Sequence, residues 1–248
     1  MTKRRYLRFL WSHEADLHRA IVRTVNRILG LVSFRLKYAV GARLRRHRYP
    51  YRLTHGGKTV VQVGAPWDTL YSGRSRALYF AIFSGPAGRV IAIEPDEDSA
   101  REIERAAGRP GLAPVVVVRK GAWSAPTVLD IYIDPTHPAS SFTSGSKDYG
   151  ERRMQDYRRV QVPADSIDNI LDALDTGPVE LVSITTNGAE REILTGMRRT
   201  IARGLPFIAL AETGAVTDLD MRALGYQLHA FDDRGRTYRL TRPPADHD

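Results

Sequence analysis

The stretch TVVQVGAPWDTLYSGRS, residues 59–75, decides the fold. Its first five residues form a β-rich apolar run that ends at Gly64, and Gly73 then opens a helical pattern. A strand that breaks at glycine and turns into a helix is the first half of a crossover unit. The rest of the chain repeats this alternation. Strands are expected at Thr59–Gly64, Val90–Glu94, Pro114–Arg119, Val128–Asp134, Glu180–Thr185 and Pro206–Glu212. Helices are expected from about Arg74 to Phe83, after Asp96 as N-cap up to Gly108, and from Ala189 to Arg203. Tyr226–Phe231 and Arg236–Leu240, joined by a short glycine-containing turn, read as an antiparallel hairpin that closes the sheet. The expected class is α/β, with a mostly parallel sheet flanked by helices.

Charge divides the chain. Residues 1–48 hold 13 Lys or Arg against Glu14 and Asp16, whereas the remainder carries 24 basic and 26 acidic residues. The net charge of +9 therefore belongs to an N-terminal appendage on a nearly neutral domain. The division expected is 1–50 as a basic amphipathic helical extension, 51–242 as the main domain and 243–248 as a tail. Leu17, Ile21, Val25, Ile28 and Val32 fall on one helical face, with Arg19, Arg23 and Arg27 on another. Such a helix either packs on its own domain or docks, through residues 1–48, on an anionic membrane or an acidic protein. No apolar run approaches the roughly 18 residues needed to span a bilayer. The chain has no cysteine, which excludes thiol catalysis and disulfides and agrees with a cytoplasmic location, peripheral membrane attachment being left open.

Two positions point to ligand binding. Gly64 ends the first strand where backbone can approach a cofactor closely. Glu94 lies 30 residues later, at the end of the next strand in "VIAIEPD", where a carboxylate can accept both hydroxyl hydrogens of a ribose. The loop from Pro135 to Gly150 is unusually long and offers His137 and Asp148 as candidate bases for an acceptor. The other histidines show no metal-ligand spacing, and no metal is expected.

With "VVQVGAP", "VIAIEPD", "KGAWS" and "VELVSITTNGAEREILTGM" in that order, the chain resembles the FkbM family of methyltransferases from about Thr59 to Leu240. The resemblance implies a Rossmann-like methyltransferase sheet, S-adenosyl-L-methionine as cofactor, and methyl transfer to an oxygen. The acceptor would be a hydroxyl of a glycan, a lipid-linked saccharide or a small metabolite. Matched to the family motifs, Gly64 and Ala65 would lie along the methionine part, Glu94 on the ribose, and Ala122 with Trp123 near the adenine, and Asp68 would also belong to the cofactor site. The chain also departs from the pattern. The family aspartate of the first motif is Gln62, its asparagine and glycine are Pro66 and Asp68, and its later aspartate and glutamate are Thr185 and Asn187. Thr185 and Asn187 occupy the acceptor side with His137 and Asp148, but neither can act as a carboxylate base. A non-catalytic binding or assembly module on the same fold is the alternative. A nicotinamide enzyme lacks the full dinucleotide fingerprint here, and an RNA partner lacks an aromatic and basic platform.

Overall fold

The computed structural model describes residues 33–135, 137–143, 157–211, 216–231 and 235–241. The helix expected over Leu17–Val32, Asp148 and the tail at 243–248 lie outside them. The strands are β1 Thr59–Val63, β2 Arg89–Ile93, β3 Val115–Val118, β4 Gly121–Ala122, β5 Thr127–Ile133, β6 Phe142–Thr143, β7 Arg158–Asp165, β8 Leu181–Ile184, β9 Phe207–Ala211, β10 Tyr226–Phe231 and β11 Gly235–Leu240. The helices are α1 Phe34–Arg45, α2 Trp67–Tyr71, α3 Arg76–Ser84, α4 Glu97–Ala107, α5 Ile167–Ala173, α6 Glu190–Thr195, α7 Arg198–Ala202 and α8 Asp218–Ala223.

The main sheet runs in the order β10-β11-β9-β8-β1-β2-β3. Strands β3, β2, β1, β8 and β9 are parallel, and β11 lies antiparallel between β9 and β10. This is the doubly wound order 3-2-1-4-5 with the expected antiparallel hairpin at its far edge. The central strands read as near-continuous apolar runs because both faces are covered. Val61 and Val63 face one layer, packed with Ile167, Ile193, Met197 and Met221. Val60, just before Val61, faces the other with Leu78, Tyr79 and Phe80 of α3.

Helix α1 joins that second layer. Tyr38 is buried and donates a 2.8 Å hydrogen bond to the Leu70 carbonyl. Among the described residues no helix is long and apolar enough to cross a membrane.

Two expectations are corrected. The run at Val128–Asp134 does not enter the parallel sheet; β5 belongs to a second sheet, ordered β4-β7-β5-β6. There it pairs antiparallel with β7 from Thr127 opposite Ala164 to Ile133 opposite Arg158. The reason lies in its pattern: Asp130 interrupts the apolar run, Ile131 and Ile133 are buried, and Val128 is exposed. Such alternation suits a strand wet on one side. The single helix expected over Ala189–Arg203 is instead α6 and α7, broken at Gly196. A Cβ on Gly196 would fall 2.0 Å from the Trp123 carbonyl oxygen, so the close approach of the two segments requires glycine there.

Candidate functional site

The order of strands changes direction between β1 and β8, and a crevice opens beyond their carboxyl ends, where ligands bind in doubly wound sheets. A cavity of about 400 Å³ occupies it, within the range of small-ligand sites. Its floor is the end of β1 and β2 with Gly64, Ala65 and Glu94; its walls include Ala122, Trp123, Phe142, Thr185 and Asn187.

Gly64 is held here by two constraints. Its φ is +78°, a left-handed conformation that disfavours any side chain, and a Cβ would lie 2.7 Å from the Thr185 carbonyl oxygen. The turn this permits aims the Ala65 N–H at Glu94, whose Oε2 accepts it at 2.6 Å, while Oε1 accepts the Asp96 N–H at 2.9 Å. Glu94 is buried. Burial disfavours its charged form and pushes its pKa up to about 7, against the opposing pull of the two backbone donors from Asp96 and Ala65. Asp96 is the N-cap of α4, accepting from the Ser99 N–H at 3.0 Å. The Ser99 hydroxyl in turn accepts the Trp67 N–H at 3.1 Å, tying the first turn of α4 to the start of α2.

Where the related motifs carry carboxylates, this chain carries a neutral hydrogen-bonded cluster. The Gln62 amide donates to the Gly64 carbonyl at 2.8 Å and to Thr185 Oγ1 at 2.7 Å. The Thr185 hydroxyl donates to the Gly64 carbonyl at 2.9 Å. Asn187 donates from Nδ2 to the carbonyls of Ala139 at 3.0 Å and Ser141 at 2.8 Å, pinning the loop between β5 and β6 over the cavity. From the other side the buried Asp68 holds the same loop. Its Oδ2 lies 2.5 Å from His137 Nδ1 and its Oδ1 accepts the Ala139 N–H at 3.3 Å.

The candidates read from sequence thus separate into two groups. Gly64, Ala65, Glu94, Ala122, Trp123, Thr185 and Asn187 line one cavity. Asp68 and His137 form a pair behind its rim, so Asp68 faces the histidine rather than the cavity. Sequence reading missed Arg76, which is buried, lines the cavity and donates to Ser183 Oγ at 3.3 Å. Its signal was a lone cation opening the otherwise apolar run RALYFAIF. The wall supplied by Leu129, Ile131 and Phe142 was missed because it belongs to the second sheet. Among the described residues no cluster of three His, Asp or Glu side chains is placed to hold a metal ion.

The family described as "Methyltransferase FkbM domain" matches residues 62–234, well over half of the chain. No curated protein gives a significant match. Among solved structures, a methyltransferase FkbM from Methylobacillus flagellatus KT shares 18% identity with a TM-score of 0.44; the alignment covers 91% of this chain and 60% of that one. The chain thus spans 60% of that protein's length. Cofactor-bound Rv0187 from MTB shares 15% identity with a TM-score of 0.44, covering 90% of this chain and 89% of that one.

Proposed function

This chain belongs to the FkbM methyltransferase domain family, and we propose that it is an S-adenosylmethionine-dependent O-methyltransferase acting on a hydroxyl of a glycan, lipid-linked saccharide or small metabolite. The observation that carries the cofactor assignment is Glu94, a buried carboxylate at the end of β2 opening onto the cavity beside a glycine turn. A ribose diol offers two donors to such a group.

The residues present fit the cofactor. The space that a Cβ on Gly64 would fill is left to backbone, and Ala122 with Trp123 gives an apolar slot for a purine. When bound, S-adenosylmethionine supplies an activated methyl group on a sulfonium, already a good leaving group. What the chain contributes is placement. Alignment of an acceptor oxygen with a reacting methyl supplies several kcal/mol of barrier reduction, on the order of 7–11 at best.

On the acceptor side, His137 is the proposed base and Asp68 the residue that positions it. With Nδ1 held by Asp68, a proton from the acceptor hydroxyl would pass to Nε2. Thr185 and Asn187 act in this reading by fixing the turn at Gly64 and the loop at 139–141.

The second reading, a binding module without turnover, draws on the same two side chains, because neither is a carboxylate. Calorimetric titration with S-adenosylmethionine and with NAD, on wild type and Glu94→Ala, tests the assignment. Micromolar binding of the former alone, lost in the variant, is expected; absence of binding overturns it. Binding without methyl transfer across an acceptor screen would favour the module.

A further inference from the structure

Helix α1 has two faces with different fates. The inner face is anchored: the Arg109 guanidinium sits 3.7 Å over the Phe34 ring, Tyr38 bonds to Leu70, and Arg45 lies 4.7 Å over the Tyr79 ring. The outer face carries Leu36, Val40 and Leu44 at i, i+4 and i+8, exposed by 55%, 50% and 62%. Beside this strip run Arg35, Arg43 and Arg46, also exposed. From Phe34 to Arg48 there is no acidic residue.

These arginines differ from many others in the chain. Arg119 pairs with Glu97 and Glu104, Arg199 and Arg203 share Asp172, and Arg191 pairs with Asp220. Arg35, Arg43 and Arg46 make no ion pair among the described residues. Parallel strips of leucine and arginine on one helix need an occupant that is apolar and anionic at once. A nucleic acid would satisfy the arginines and leave the leucines in water. A second copy would cover the leucines and bring like charges together.

We propose that the outer face of α1 binds an anionic lipid surface, with Leu36, Val40 and Leu44 entering the acyl boundary and Arg35, Arg43 and Arg46 against headgroup phosphates. The sequence left open whether the basic extension packs on its domain or docks elsewhere; α1 does the first with one face and offers the other. The Tyr38 bond ties it to α2, whose N-cap Pro66 lines the cavity, so the docked surface is one short helix from the site. The inference rests on α1 alone and holds whatever reaction the cavity supports.

The test is co-sedimentation of the full chain at physiological salt with vesicles of phosphatidylglycerol mixed into phosphatidylcholine, and with pure phosphatidylcholine. Two triple variants are compared, Leu36→Gln/Val40→Gln/Leu44→Gln and Arg35→Gln/Arg43→Gln/Arg46→Gln. Glutamine keeps helix propensity, and an unchanged melting midpoint certifies the fold. Wild type is expected to sediment only with the anionic vesicles. The arginine variant should lose roughly a hundredfold in partitioning and the apolar variant at least about tenfold. Failure of wild type to bind, or full binding by either variant, overturns the proposal. So does light scattering that shows a dimer dissolved by the apolar variant without change in vesicle binding, or binding to a single-stranded RNA homopolymer that only the arginine variant loses while vesicles are ignored.

Discussion

Glu94 ties the affinity of the cavity to pH in a direction that can be worked out. Burial raises its pKa to about 7, so in the free protein it is largely protonated at pH 5.5 and mostly ionised at pH 7.5. Ribose hydroxyls donate to the ionised form. The ligand-bound protein therefore holds the carboxylate charged, and binding below pH 7 must first release a proton. With a free-protein value of 7 and a bound value well below 5.5, the ionised fraction rises about 25-fold between pH 5.5 and 7.5, and affinity for S-adenosylmethionine rises with it. The ligand's own amino group, at about 7.7–8.0 for an α-amine, stays protonated through most of this window and starts to titrate only at its upper end. Titration calorimetry at four pH values in two buffers of different ionisation heat measures both the affinity and the proton released. The same shift predicts the stability of the free protein. A folded pKa above the unfolded 4.5 stabilises at low pH, and that contribution is lost as pH rises through 7, at most roughly 3 kcal/mol. Glu94→Gln should bind weakly, because its amide N–H₂ confronts the N–H of Ala65 or Asp96, and its affinity should be flat across the window. A wild-type affinity independent of pH, or a glutamine variant that binds as well as wild type, refutes the reasoning.

Three further outcomes are expected. Gly64→Ala should lower stability by roughly 3 kcal/mol, since it combines a positive φ with a Cβ at 2.7 Å from a backbone oxygen, whereas Gly56→Ala, at φ +84° with nothing within 4 Å, should lose only about 1–2 kcal/mol; equal denaturation midpoints for the pair would remove the close contact from the account. His137→Ala and Asp68→Asn should each cut methyl transfer by about a hundredfold or more while S-adenosylmethionine affinity stays within about twofold, and a variant with undiminished turnover would take the base from His137. Tyr38→Phe should cost about 1 kcal/mol in urea unfolding by removing the phenol donor to the Leu70 carbonyl, which keeps only its local Gly73 N–H at 3.1 Å; no loss would mean that α1 is not braced through that bond.

The parts of the fold legible in the sequence are those whose burial is two-sided. Strands β1, β2, β8 and β9 are short apolar runs, and a glycine or carboxylate at the carboxyl end of β1 and β2 marks the crevice. Glu94 could be found because its distance from Gly64 along the chain fixes it on the neighbouring strand. The second sheet hid because β7, RRVQVPAD, alternates charge with apolar residues and contains a proline. The Asp68 and His137 pair had no local signature. Those residues are 69 apart in sequence, and only the folding of the β5–β6 loop onto α2 brings them together. Arg76 was hidden by the opposite habit, since a cation in an apolar helix is usually assigned to solvent.

The replacements at Gln62, Thr185 and Asn187 act as a set. Gln62 is buried among backbone carbonyls, and it can donate to them; an aspartate in the same place, as in the related motif, would face the carbonyl oxygens of Val63 and Gly64 with no proton to offer. Once glutamine is there, a residue that accepts from its amide and also donates to the Gly64 carbonyl is needed across the strand pair, and the threonine hydroxyl does both. Asn187 spends both amide hydrogens on two carbonyls of the loop over the cavity, a bond pattern that no carboxylate can make. The chain has thus exchanged charges at the strand ends for donors that hold backbone in place. Behind the rim, the ionisable pair is Asp68 and His137, with Asp68 where the related motif has glycine. In the proposed reaction, a proton leaving the acceptor hydroxyl would end on that pair.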